Sequence, residues 1–269
     1  MKDTAVSTQR AAYLAALRRH RRRIRFWQLA LLLGFFLFWE VSCRAGWSDG
    51  FLTSSPSRIA HSFLSLCRSG EVLQHVGISC LETVVGFTLG TALGTLLAVV
   101  MWYSPTLSRI LDPYLVVLNA LPKTALGPIF IVWMGAGMGA IIVMTLAISL
   151  IVTILTMYEG FRSTDSEKLQ LMATLGATRW QTLHLLVLPA NYGTLLNTLK
   201  VNVGLSWVGV IMGEFLVSRA GLGYLIVYGS QVFNMDLVLT AIVLLAVAAV
   251  LMYRVVLLLE KLIQHLWRV

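Results

Sequence analysis

Six apolar segments alternate with polar stretches along the chain, and each is long enough to cross a bilayer. A membrane-spanning helix needs about 20 predominantly apolar residues. The predicted spans cover residues 24–43, 75–103, 107–133, 140–157, 191–217 and 237–259. They predict an all-α integral membrane protein, with a basic N-terminal segment over residues 1–23 and a membrane domain over residues 24–269.

Two spans carry internal signals. Gly86, Gly90 and Gly94 recur at four-residue spacing in the second span, which favours close packing against another helix, with incidental glycines as the alternative. The third span contains Pro122 and Pro128, with Lys123 between them. Irregular backbone at membrane depth is tolerated where it faces protein or a cavity, so this span is predicted to line one.

A polar connector, residues 159–189, separates the fourth and fifth spans. A capping box at residues 164–167 predicts the start of a helix, and Gly176 suits the left-handed residue that ends one. A second capping box at residues 178–181 predicts another helix. Pro189 is expected to interrupt that helix before the next span. The connector is thus predicted to be a helix, a tight turn and a helix.

Composition and charge fix the class of protein and its predicted orientation. Of 269 residues, 58% are hydrophobic and 12% charged, far from soluble norms. The net charge of +9 lies beside the spans, not on one soluble face, so nucleic-acid binding is not expected. Fourteen Lys and Arg flank the N-terminal side of the spans, against four on the other: Arg44, Arg58, Arg68 and Arg219. The positive-inside rule therefore predicts that both termini and the connector are cytoplasmic.

The sequence offers little for catalysis or for binding a cofactor. It has no Walker A motif and no paired metal-ligand spacing, so no catalytic residue, metal site or cofactor is predicted in this chain. Cys43, Cys67 and Cys80 are interpreted as three separate thiols, with a bridge between Cys43 and Cys67 as the alternative. Any ATP-driven step would need a second subunit that binds ATP.

The connector resembles the cytoplasmic loop of ATP-binding-cassette (ABC) importer permeases. Gly176 is followed after nine residues by Leu186, and Leu188 and Pro189 complete the pattern, while Gln170 stands where that family usually has Glu. The resemblance implies a coupling-helix loop that contacts an ATPase. Its candidate residues are Gln170, Met172, Gly176, Thr178, Arg179 and Pro189.

Residues 120–133 and 213–226 resemble segments of the nitrate, sulfonate and taurine permease group of type I importers. The resemblance implies two permease subunits, expected to be a homodimer, in the bacterial inner (plasma) membrane and in contact with its lipid. It also implies two cytoplasmic ATPases that bind ATP and Mg, and an extracytoplasmic solute-binding protein. The expected cargo is a small solute like a sulfonate, nitrate or taurine, with an anion as the favoured class. The group also includes transporters of bicarbonate and vitamin precursors.

Ionisable side chains within spans are costly and usually functional or paired. The candidate solute path consists of Lys123, Lys200, Trp207 and Glu214. Lys200 and Glu214 lie on one helical face but about 21 Å apart, so each needs its own partner. The alternative is that Lys200 reaches towards headgroups and Glu214 marks the outer boundary. A secondary transporter that works without an ATPase is the alternative function.

Overall fold

The computed structural model describes residues 2–267, with side chains described for residues 10, 13–17 and 19–262. All regular structure in this part of the chain is helical. A 3₁₀ turn covers Lys123–Leu126 and a π turn Leu183–Val187. The helices are α1 (Lys2–Arg44), α2 (Gly50–Thr53), α3 (Pro56–Ser69), α4 (Glu71–Tyr103), α5 (Pro105–Ala120), α6 (Gly127–Met134), α7 (Met138–Arg162), α8 (Ser166–Thr174), α9 (Arg179–Thr182), α10 (Leu188–Ala190), α11 (Tyr192–Val217), α12 (Leu222–Gln231) and α13 (Met235–Trp267).

The chain divides into two compact units, one up to Ser62 and one from Phe63 onward. In the first unit, α1 runs without a break through the predicted boundary at residue 24. Glu40, near the end of α1, forms an ion pair with Arg44 at 2.7 Å and accepts hydrogen bonds from the Ser57 hydroxyl and N–H. These contacts fix the polar end of α1 to the start of α3.

Among the described residues, five helices are long and apolar enough to cross a membrane, in the ranges Tyr13–Arg44, Glu71–Tyr103, Met138–Arg162, Tyr192–Val217 and Met235–Leu262. A sixth candidate is the pair Pro105–Ala120 and Lys123–Met134, bent by 91° at the break between them. The break falls at Leu121 and Pro122, as expected for the third span. Pro128 makes no second break, because it lies in the first turn of α6, where its missing N–H costs no helical hydrogen bond.

Helices α4, α7 and α11 form the centre of the second unit. A Cβ built on Gly86 would lie 2.5 Å from Thr145, and one on Gly94 would lie 2.6 Å from Thr153, so the glycine stripe of α4 faces α7. The partner residues advance in step with the glycines, so the two helices run parallel. Glycine is the side chain that permits this approach, since any Cβ would overlap its neighbour.

Helix α11 runs antiparallel to α7. Gly209 approaches Thr145 while Gly213, one turn later, approaches Ile141, one turn earlier. The Thr145 hydroxyl donates to the Ile141 carbonyl of its own helix. The hydroxyls of Ser149 and Thr153 likewise each donate to the carbonyl four residues earlier, those of Thr145 and Ser149. Small polar side chains thus pack between helices with their donors satisfied locally.

Candidate functional site

Two polar regions of the second unit stand out: the connector between α7 and α11, and a buried cluster where α4, α11 and α12 meet. The connector contains α8, a glycine turn, α9, the π turn and α10. Gly176 has φ of 74°, as predicted. The N–H of Gly176 bonds the Ala173 carbonyl and that of Ala177 bonds the Met172 carbonyl, both at 3.0 Å. These two bonds are a Schellman motif, which ends α8.

The second predicted capping box is confirmed. The Thr178 side chain accepts the Gln181 N–H at 3.3 Å, and the Gln181 side chain accepts the Thr178 N–H at 2.8 Å. Beside it, Arg179 donates from Nη1 to the carbonyl of Tyr103 at 2.9 Å. This bond ties the start of α9 to the last residue of α4.

The first predicted capping box is wrong. Asp165 caps α8, accepting the Glu167 N–H at 2.9 Å. Thr164 is buried, and its hydroxyl accepts from Nδ2 of Asn191 at 2.9 Å. The cause is a contact between residues distant in sequence: Asn191, at the far end of the connector, donates to the Thr164 hydroxyl oxygen, which is then not used as a cap. This bond joins the two ends of the connector.

Pro189 was predicted to interrupt the helix, but the chain stays helical until Asn191. A proline ring crowds the carbonyl four residues earlier, here that of Leu185. The π turn Leu183–Val187 widens the backbone at that point. The proline is therefore accommodated in α10, and the break is displaced two residues towards α11.

The connector has one buried and one exposed side. Leu183 and Val187 are buried against Ala98, Met157 and Phe161 at the ends of α4 and α7. On the other side Leu171, Leu175 and Trp180 are 58%, 72% and 61% exposed. Gln170 is also exposed and Met172 half-buried. The connector is thus seated firmly on the spans while presenting large apolar side chains outward.

The predicted path residues do not come together. Lys123 is half-buried and donates to the Asn119 carbonyl at 3.0 Å, whereas Trp207 is buried in the core with Val203 and Leu222. Lys200 pairs with Glu260 of α13, Nζ to Oε1, at 3.0 Å. The partner that Lys200 needs is therefore another side chain of the same unit.

Glu214 lies at the centre of the buried cluster. Its Oε1 accepts from the Ser79 hydroxyl of α4, and its Oε2 accepts from the N–H of Gly223 in α12. Ser79 also accepts the Leu222 N–H at 2.8 Å, and Nδ1 of His75 accepts the Gly221 N–H at 2.9 Å. The first turn of α12 is thus held by α4 and α11 through three successive backbone donors.

Glycine is required at two of these positions. Gly221 has φ of 121° and packs directly on the Glu214 carboxyl group, while a Cβ on Gly223 would lie 2.8 Å from that of Glu214. The Glu214 carboxyl also interacts with that of Glu82 of α4. The sequence indicated Glu214 as a candidate path residue, but its pairing with Glu82 was not predicted. The one local signal was that Ser79, Glu82 and Gly86 share a face of α4.

A third polar junction lies deeper between the spans. Asn202 of α11 donates to the hydroxyls of Thr91 in α4 at 2.9 Å and Thr153 in α7 at 2.7 Å, joining the three central helices. Sequence reasoning did not identify Asn202.

In the described part of the chain, no group of three or more His, Cys, Asp or Glu could hold a metal, and all three cysteines are free.

Comparison with known proteins identifies a family and relatives that this chain resembles. The family model described as "Binding-protein-dependent transport system inner membrane component" matches residues 90–265. The chain is 27% identical over 264 residues to the putative aliphatic sulfonates transport permease protein of Bacillus subtilis, covering 97% of this chain and 96% of that one. It is 26% identical over 230 residues to the taurine transport system permease protein of Escherichia coli, covering 83% and 82%.

A similar fold occurs in a solved structure of the methionine ABC transporter in its inward-facing conformation. The TM-score is 0.61 at 19% identity, over 70% of this chain and 93% of that one.

Proposed function

Because this chain belongs to the family of inner membrane components of binding-protein-dependent transport systems, we propose that its connector is where the ATPase of the transporter docks. The chain is a multi-pass permease subunit of an ABC importer. Its family implies a separate ATPase and a solute-binding protein. An ATP-driven importer is therefore favoured over the secondary transporter that the sequence left open as an alternative.

The two-sided construction of the connector carries this proposal. Leu171, Leu175 and Trp180 are large apolar side chains left exposed on a segment that lies outside the membrane spans. They lie within ten residues of one another, in α8, the turn after it and α9. Clusters of exposed apolar side chains are typical of protein interaction sites. The buried side, with Leu183 and Val187, packs on the ends of α4 and α7. A displacement of the exposed side would therefore be transmitted directly to two central helices, α4 and α7.

We further propose that the connector and both termini are cytoplasmic, that two copies of the chain form the permease pair, and that the solute is an anion. The charge asymmetry across the spans supports the orientation. The sulfonate and taurine relatives support the solute class. Lys200 gives no independent support for an anion, because Glu260 neutralises it.

The solute class is tested with the purified transporter and its own binding protein in lipid. An aliphatic sulfonate without an amino group should stimulate ATP hydrolysis, and nitrate, bicarbonate, zwitterionic taurine and a vitamin precursor serve as the comparison solutes. Stimulation by a neutral or cationic solute alone would contradict the anionic assignment. It would have no bearing on the proposal that the connector is the docking site.

The docking site is tested by replacing Gly176 with Val. A β-branched residue resists positive φ, so the turn should be strained by about 1 kcal/mol or more and α8 should tilt against α9. Solute-stimulated ATP hydrolysis and uptake should fall together, while the permease remains in the membrane.

Gly70 offers a matched control, because its φ of 80° is close to the 74° of Gly176 and no atom lies within 4 Å of a Cβ at either residue. Gly70→Val adds comparable strain outside the connector, at the start of α4, and should leave coupling intact. Equal loss of coupling in both variants would mean that strain alone accounts for the defect and would contradict docking at the connector.

A further inference from the structure

Two carboxylic side chains face each other in the interior of the second unit. Glu82 of α4 is 3% exposed and Glu214 of α11 is 1% exposed, and their carboxyl groups interact. Carboxyl groups are seldom buried to this degree without a cation or a complete set of hydrogen-bond donors. The contacts of the two groups therefore have to explain how they are accommodated.

The donors around the pair are distributed unequally. Both oxygens of Glu214 accept hydrogen bonds, from Ser79 and from Gly223. The Ser79 proton is committed to Glu214, because the Ser79 oxygen itself accepts the Leu222 N–H. In contrast, Oε2 of Glu82 has no hydrogen-bond partner in the described residues. Glu214 is thus surrounded as an ionised carboxylate would be, and Glu82 is not.

Among the described residues, no positive charge acts on either carboxyl group to offset a second negative charge. Neither carboxyl group forms an ion pair within the described part of the chain. Nδ1 of His75 accepts the Gly221 N–H, so it carries no hydrogen and the ring is neutral. The backbone N–H of Tyr224 is a further donor to Glu214, while its ring stacks on His75. The other titratable groups beside the pair are thus the Cys80 thiol and the Tyr224 phenol, which cannot become cations. Two carboxylates in contact without a cation cannot both be ionised.

We propose that Glu82 and Glu214 bind a single proton, carried by Glu82 as a neutral acid whose O–H donates to the Glu214 carboxylate. The proton then links α4 to α11. Through Gly223 and Ser79 the same carboxylate also holds the first turn of α12. The pair is therefore a proton-binding site that keeps α12 docked.

The proton is detected by infrared spectroscopy of the assembled transporter in lipid, with ¹³C-glutamate in the permease subunit alone. At neutral pH we expect a C=O band of a protonated carboxylic acid that shifts with the label. The other described glutamates are exposed or half-buried, so the band belongs to this pair. Absence of a label-sensitive protonated band in the unsubstituted protein would overturn the proposal, whatever the variants do.

Glutamine variants test which member carries the proton. Glu82→Gln replaces a neutral donor by another neutral donor, so the band should disappear while uptake stays within about twofold. Glu214→Gln places an amide N–H₂ against the donors of Ser79 and Gly223, so the band should persist and uptake should fall roughly tenfold or more. A band that survives Glu82→Gln but is lost in Glu214→Gln would overturn the assignment to Glu82.

Glu71→Gln, an exposed glutamate on the same helix, is the control and should change neither band nor uptake. If Glu214→Gln fails to assemble, the spectra of the unsubstituted protein and of Glu82→Gln still decide. Persistence of the protonated band in Glu82→Gln would then contradict the proposal.

Discussion

The junction of α4, α7 and α11 and the connector between α7 and α11 differ in how much of their packing one chain completes. At the junction, glycines lie so close to hydroxyl side chains that any added Cβ would overlap them. Those hydroxyls donate hydrogen bonds to carbonyls of their own helix. At the connector, Leu175 and Trp180 remain 72% and 61% exposed. The packing of the junction is complete within one chain, whereas the connector presents an apolar surface that a partner would cover.

The largest effect is expected at the junction. A Cβ on Gly209 would lie 2.6 Å from the Cα of Thr145, and backbone cannot move aside as a side-chain end can. Gly209→Val should therefore lower the free energy of unfolding by about 3 kcal/mol or more, at the upper end of overpacking costs. The thermal denaturation midpoint and the yield of monodisperse protein in detergent measure it.

Gly204 is the matched control on the same helix, because no atom lies within 4 Å of a Cβ there. Gly204→Val should change the free energy of unfolding by roughly 0.5 kcal/mol or less. If both variants lose stability equally, the close approach of α11 to α7 is not what the junction depends on.

A smaller effect is expected at the ion pair of Lys200 and Glu260, whose side chains are 25% and 15% exposed. Lys200→Met leaves Glu260 unpaired and should cost about 1–2 kcal/mol, between the values for exposed and for buried pairs. Adding Glu260→Gln should restore most of the thermal stability and uptake. Uptake that stays lost in a fully stable double variant would instead support Lys200 as a residue of the solute path.

These contrasts also show what could be read from the sequence. The Gly176 turn and the capping box at Thr178 and Gln181 depend on residues within five positions of each other, so the local pattern predicted them. The stripe of Gly86, Gly90 and Gly94 predicted a packing face because its period is set by one helix.

Contacts between distant segments could not be read in this way. The pairs of Glu82 with Glu214, Lys200 with Glu260 and Thr164 with Asn191 depend on the register of one helix against another. Thr164 shows the consequence, since its sequence favours a cap that the contact with Asn191 replaces. Local propensity was overridden by tertiary structure at that residue.

The central claim, that the connector faces the cytoplasm and receives the ATPase, is tested most directly with one cysteine at Leu175. The background lacks Cys43, Cys67 and Cys80, and an impermeant maleimide is applied to intact cells and to inverted membrane vesicles. We predict no labelling in intact cells, labelling in inverted vesicles stripped of ATPase, and protection when the ATPase is bound. Labelling in intact cells, or equal labelling with and without bound ATPase, would contradict the claim.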